Sequence, residues 1–145
     1  MNETKIIINN LLVNLFNRIL SIEEDSLQKE GVKLTMNEVH ILEAIRNSKI
    51  PNISNVSKKL RITKGTLSTS IKNLINKNYI FITLDENDKR IKYLNLNDNS
   101  LKILKIHDKF HDEMIDSVIK DLNIDNNKSL IDSLRNLNNY LKERF

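Results

Sequence analysis

The side chains in this chain that are able to do chemistry are three histidines, a row of hydroxyls and a one-signed run of cations. His107 and His111 are spaced i and i+4, which puts both imidazoles on one helix face, where they could share a metal ion. His40 on a second helix and Glu23 or Glu24 on a third could complete such a set. Without a metal, the same imidazoles hydrogen-bond across helix joints. Other catalytic chemistry is poorly provided for. The 145 residues include no cysteine, which excludes disulfides and thiolate nucleophiles, and only two glycines, with no glycine-rich phosphate loop. Glu23 and Glu24 are neighbours on a predicted helix, so their carboxylates diverge. The chain does not read as an enzyme.

The cations are more informative. From residue 44 to residue 84 there is no Asp or Glu, yet Arg46, Lys49, Lys58, Lys59, Arg61, Lys64, Lys72 and Lys77 all lie there. A solvated helix face usually mixes signs, whereas clustered cations of one sign neutralise phosphates. Within this stretch a short helix leads through Arg61 and Ile62 into a second helix that opens at Thr63, whose hydroxyl can accept a free first-turn amide. Leu67, Ile71, Leu74 and Ile75 recur at helical spacing and face inward. The outer face of Thr63, Lys64, Thr66, Ser68, Thr69, Lys72 and Asn73 is small, polar and basic, which suits a helix entering a DNA groove. Thr66, Ser68 and Thr69 are candidates for base edges. Lys58, Lys59, Lys64 and Lys72 are candidates for phosphates, as is Lys89 further on.

The surrounding elements follow from periodicity. Residues 1–29 read as one long helix with Ile8, Leu11, Leu12, Leu15, Phe16, Ile19 and Ile22 as a broad apolar stripe. Gly31 is its stop. Thr35 with Glu38 predicts a capping box opening a helix with Val39, Ile41, Leu42 and Ile45 inside. Pro51 breaks it. From Ile80 the period becomes two, giving two strands around the polar tip 85–90. Leu101, Leu104, Phe110, Met114, Val118 and Ile119 mark another long helix. Asn123 to Asn127 breaks it, and a last helix carries Leu130, Ile131, Leu134, Leu137 and Leu141.

Three helices followed by a hairpin is the order of a winged helix-turn-helix. The expected fold is mainly α with a small β wing. Residues 34–97 form the DNA-binding domain, and 1–33 with 98–145 form long terminal dimerisation helices. A winged helix of this length cannot cover the apolar faces of those terminal helices, so they are expected to pair with a second copy around a twofold axis. Two recognition helices would then sit about 34–36 Å apart on a pseudo-palindrome of double-stranded DNA. The start lacks a basic lead and small-residue cleavage site, and no uniformly apolar run reaches about 18 residues, so a cytoplasmic location with no membrane span is expected.

The whole order resembles the MarR family of regulators. The hairpin tip Asp85-Glu86-Asn87-Asp88-Lys89-Arg90 is similar to the family's D-x-R-D-x-R wing, with Asn87 in place of the first arginine. Arg90 could enter a narrow minor groove while Asp88 holds its guanidinium. Residues 15–24, 37–40 and 107–114 resemble the FabT-type repressors of bacterial fatty-acid synthesis. That resemblance implies long-chain acyl–acyl carrier protein as corepressor and no required metal. Phe16, Ile19, Leu20, Phe110 and Met114 could line an acyl slot, with His40, His107 and His111 beside it. A related branch implies the alternative of zinc sensing through Glu24, His40, His107 and His111. A MarR-type response to another small ligand is the remaining alternative.

Overall fold

A computed structural model describes residues 2–145. The chain divides into two compact units, one ending at His107 and the other beginning at Asp108.

The first unit opens with α1 (Glu3–Asn9), a π-helical stretch Asn10–Leu15, and α2 (Phe16–Lys29). Asn2 caps α1 by accepting from the Thr4 amide at 2.7 Å. The sequence predicts an unbroken α-helix here, and its expected start at Met1 lies outside the described residues. The structure instead widens the middle by six residues of π-helix, across which the Asn14 side-chain Nδ2 donates to Asn10 Oδ1 at 2.7 Å. Such widened turns commonly mark functional stretches. Neither α1 nor the π-helical stretch buries any residue, and Leu12, Leu15 and Phe16 are 43, 43 and 58% exposed. By length and composition alone, Glu3–Lys29 is apolar enough to cross a membrane, although no run of that length is uniformly apolar. A helix whose apolar face is covered by a protein partner passes the same test.

Gly31, at φ +78°, ends α2. Its amide donates to the Gln28 carbonyl and that of Val32 to the Leu27 carbonyl, which satisfies the free carbonyls of the last turn. Then come α3 (Met36–Arg46), α4 (Ile53–Leu60), α5 (Lys64–Asn76), β1 (Ile80–Leu84) and β2 (Lys92–Leu96). The strands pair antiparallel in the register Ile80 to Leu96 and Leu84 to Lys92.

One core serves these elements. Leu27, Leu34, Met36, Val39, Leu42, Ile45, Val56, Leu67, Ile71, Leu74, Ile80 and Leu94 are all buried in it, with Ile103 and Leu104 from the start of the next helix. Leu67 is fully buried, as its helical spacing predicts, and Ile75 packs half-buried at the edge. The long helix α6 (Asp98–Leu122) begins in this unit.

In the second unit, Asn123 adopts a left-handed conformation (φ 52°) and ends α6. A short 3-10 turn, Ile124–Asn126, leads to α7 (Lys128–Arg144), capped by Asn127 accepting from the Leu130 amide at 3.1 Å. No residue of α7 is buried, and Val118, Leu122, Leu134 and Tyr140 are exposed.

Candidate nucleic-acid interface

The turn between α4 and α5 sets the angle of the second helix. Arg61 caps α4 in the left-handed region at φ 56°, a conformation costing a non-glycine residue about 1–2 kcal/mol. The Ile62 amide returns to the Ser57 carbonyl at 3.1 Å, which holds the turn closed. Thr63 then caps α5, its Oγ1 accepting from the Thr66 amide at 3.1 Å and donating to Thr66 Oγ1 at 2.8 Å.

The outward side of α5 carries the predicted contact residues. Lys64, Thr66, Thr69 and Lys72 are exposed, and Ser68 is half-buried. The Thr69 hydroxyl donates back to the Gly65 carbonyl at 3.1 Å, so its oxygen keeps acceptor capacity. Among the described residues, Lys58, Lys64, Lys72 and Lys89 form no salt bridge, so their charge is open to phosphate. Others of the cations counted in the sequence are engaged within the protein. Lys59 donates to the Asn47 carbonyl at 3.0 Å, Lys77 pairs with Glu38, and Arg46 lies 3.9 Å from Glu43. Glu38 was expected to complete a capping box with Thr35. Only the Thr35 half forms, at 3.2 Å, because the Glu38 carboxylate is taken by Lys77.

The wing tip is built from carboxylates. Asp85 Oδ2 accepts the amides of Asn87 and Asp88, both at 3.0 Å, and Asp85 Oδ1 accepts the Tyr93 hydroxyl at 2.7 Å. Asp88 Oδ1 accepts both the backbone amide and Nε of Arg90, at 3.0 and 3.1 Å, and Oδ2 accepts Nη2 at 3.2 Å. This fork-to-fork pair holds a guanidinium whose side chain is 92% exposed. The tyrosine hydroxyl, then the amides of Asp88 and Asn87, hold the Asp85 carboxyl below its ordinary pKa. The Arg90 side chain and then its amide do the same for Asp88. The Asp85 carboxylate raises the Tyr93 phenol. The Asp85–Tyr93 bond was missed in the sequence, since it needs the strand register to bring residues eight apart together.

The histidines are placed as follows. In the first unit His40 and His107 meet edge to face, with ring centroids 6.1 Å apart. His107 is buried. Its Nε2 lies 3.8 Å from Glu43 Oε2, and His40 Nε2 lies 4.0 Å from Glu23 Oε2. The acidic residues facing these imidazoles are thus Glu23 and Glu43. Ligand atoms of His40, Glu43 and His107 all fall within 4.8 Å of one another. Ile19 and Leu20 are half-buried, and Phe16 is exposed. In the second unit Phe110 and His111 also meet edge to face, at 5.8 Å, and Met114 is half-buried. A cavity of about 270 Å³ opens beside His40, lined also by Asn37, Ile41, Leu60, Ile62, Thr66 and Ser70.

Known proteins share this arrangement. The profile of the MarR family matches residues 34–92. The structure of Streptococcus pneumoniae FabT in complex with DNA superposes with a TM-score of 0.81, covering 94% of this chain and 96% of that one at 31% identity. A Staphylococcus aureus MepR–DNA complex has the same fold, with a TM-score of 0.72 at 19% identity over 92% of this chain and 96% of that one. In sequence, the Bacillus subtilis HTH-type transcriptional regulator YvnA, itself uncharacterised, is 26% identical over 115 residues, which is 77% of this chain and 71% of YvnA. A basic helix and an arginine-tipped hairpin on a winged-helix core, matched over nearly the whole chain, leave one assignment: this chain belongs to the MarR family and is a DNA-binding transcriptional regulator, not an enzyme.

Proposed function

We propose that the chain represses fatty-acid synthesis genes, binding a pseudo-palindromic operator as a homodimer with long-chain acyl–acyl carrier protein as corepressor. The observation that carries this reading is the 31% identity to FabT over 94% of the chain, together with the FabT-like segments 15–24, 37–40 and 107–114. Residues 34–97 act as the DNA-binding domain, and 1–33 with 98–145 as the dimerisation helices. The exposed apolar side chains of α1, the π-helical stretch and α7 support that division, because a second copy is the simplest cover for them. Lys58, Lys64, Lys72 and Lys89 neutralise phosphates, Thr66, Ser68 and Thr69 face base edges, and Arg90 enters the minor groove beside Asp88. Phe16, Ile19 and Leu20 are assigned to the acyl chain. The regulator works in the cytoplasm, where both the genes and the acyl carrier protein are found.

Fluorescence anisotropy on promoter duplexes of the fatty-acid synthesis genes tests this reading. Long-chain acyl–acyl carrier protein should tighten binding, and the unacylated carrier should not. No effect at physiological concentration would leave a MarR regulator of a different response.

Zinc response is a second reading, with a different carboxylate from the expected Glu24: His40, Glu43 and His107 lie together, and among the described residues Glu24 joins no such group. Two imidazoles and a carboxylate suit zinc, and a fourth position would fall to water or another side chain. Calorimetry with zinc, repeated with a chelator, decides it; no binding below micromolar concentration removes it.

A further inference from the structure

Arg90 reaches out from a hairpin tip of few residues with its side chain almost fully exposed. An exposed ion pair such as Asp88–Arg90 contributes little by itself, because solvent screens it and the side chains lose entropy on pairing. A guanidinium that must meet a groove in one orientation therefore needs its partner carboxylate to be held from behind. Asp88 is held by its own amide, which donates to Asp85 Oδ2. Asp85 is held by the Tyr93 hydroxyl at Oδ1. Tyr93 is in turn fixed on both sides of its backbone. It pairs with Thr83 in the sheet and forms an antiparallel bridge to Asn52, the residue that caps α4. The next amide, Leu94, donates to the Pro51 carbonyl at 2.7 Å. The tip is closed over this frame by Asp85 donating to Ile91 and Ile91 donating to Asp88 through their backbones, each at 3.0 Å.

We infer that Tyr93 and Asp85 form a latch that positions Arg90 for DNA, linking the cap of α4 to the wing arginine through Asp88. Neither residue needs to touch DNA. Their contribution is preorganisation: the arginine's orientation is fixed before binding, so less freedom is lost when it enters the groove. This rests on the reading of Arg90 as a groove contact.

The experiment is a double-mutant cycle in operator binding. It uses a duplex selected from a random library by the unaltered chain, and the proteins Arg90→Ala, Tyr93→Phe and the double variant. Arg90→Ala should weaken binding. Tyr93→Phe keeps the ring and removes only the hydroxyl, and should weaken binding about three- to tenfold. The double variant should bind no worse than Arg90→Ala alone. A merely structural tyrosine would weaken binding by the same factor in both backgrounds, and that additive result would overturn the inference. So would full affinity in Tyr93→Phe alongside weakened binding in Arg90→Ala. If Arg90→Ala itself binds normally, the groove reading fails and the latch goes with it. Asp85→Ala, checked by circular dichroism for intact helices, provides the second end of the same cycle and should be equally non-additive with Arg90→Ala.

Discussion

The ammonium of Lys77 lies 3.1 Å from Oε2 and 3.2 Å from Oε1 of Glu38, 39 residues earlier, so the end of α5 is pinned to the start of α3. Lys77 counts as one of eight cations in the acid-free stretch, but its charge is already neutralised within the protein. The two lysines on α5 and its end should therefore part company. Lys72→Ala should weaken binding to specific and random duplexes alike and reduce the salt slope by about one. Lys77→Ala should leave that slope unchanged and cost under about 1 kcal/mol of stability, as a partly exposed pair does. Binding measured across a salt series checks both, and equal slopes for the two variants would reject the distinction.

Thr63 governs the start of the same helix. Its hydroxyl both accepts the Thr66 amide and meets the Thr66 hydroxyl. Thr63→Ala leaves a first-turn amide without its cap and should destabilise the protein by about 1 kcal/mol in urea unfolding. Thr63→Ser keeps the oxygen and should recover most of it. If alanine and serine melt alike, the cap is not what sets this terminus.

What could be read in advance and what could not divide by distance along the chain. The Thr63 cap and the Asp88–Arg90 fork join residues two or three apart, so residue type and spacing expose them. The Leu67, Ile71 and Leu74 face is periodic, and burial follows the period. The Glu38–Lys77 pair spans 39 residues, and the hydrogen-bonding partner that won Glu38 from Thr35 exists only after folding. The π-helical stretch Asn10–Leu15 leaves no periodic signature at all, because a widened turn shifts the apolar stripe without interrupting it. The histidines fall between these cases. His107 and His111 share a face by spacing, but that Glu43 comes within 3.8 Å of His107 depends on how α3 packs, which no spacing along the chain reveals.

The exposed leucines at the N-terminus give a third prediction. Leu12 and Leu15 are each 43% exposed in the single chain, a poor use of apolar surface unless a second copy covers it. Leu12→Glu with Leu15→Glu should shift sedimentation from dimer to monomer and abolish any rise of Tm with protein concentration. Operator affinity should fall with it, since two half-sites are no longer engaged together. A variant that stays dimeric would move the interface elsewhere on the chain.

Tyr93 supplies the last prediction, a titration. The Asp85 carboxylate holds the Tyr93 phenol above its ordinary pKa, while the Tyr93 hydroxyl and two amides hold Asp85 below its own. A depressed carboxyl contributes stability that is present above its unfolded pKa and is lost as pH falls through the folded value. A raised phenol contributes stability that is present below its unfolded pKa and is lost as pH rises through the folded value. The two ends thus bracket a window running from below about 3.9 to above about 10, within which the bond between them is kept. In carbon NMR, the Tyr93 ring signal, assigned by its loss in Tyr93→Phe, should titrate above the ordinary tyrosine value. Asp85→Ala should lower it toward that value, since it removes both the acceptor and the nearby negative charge and leaves only the smaller rise from burial. An unshifted Tyr93, or one whose titration Asp85→Ala does not lower, would mean that the hydroxyl does not bond this carboxylate in solution.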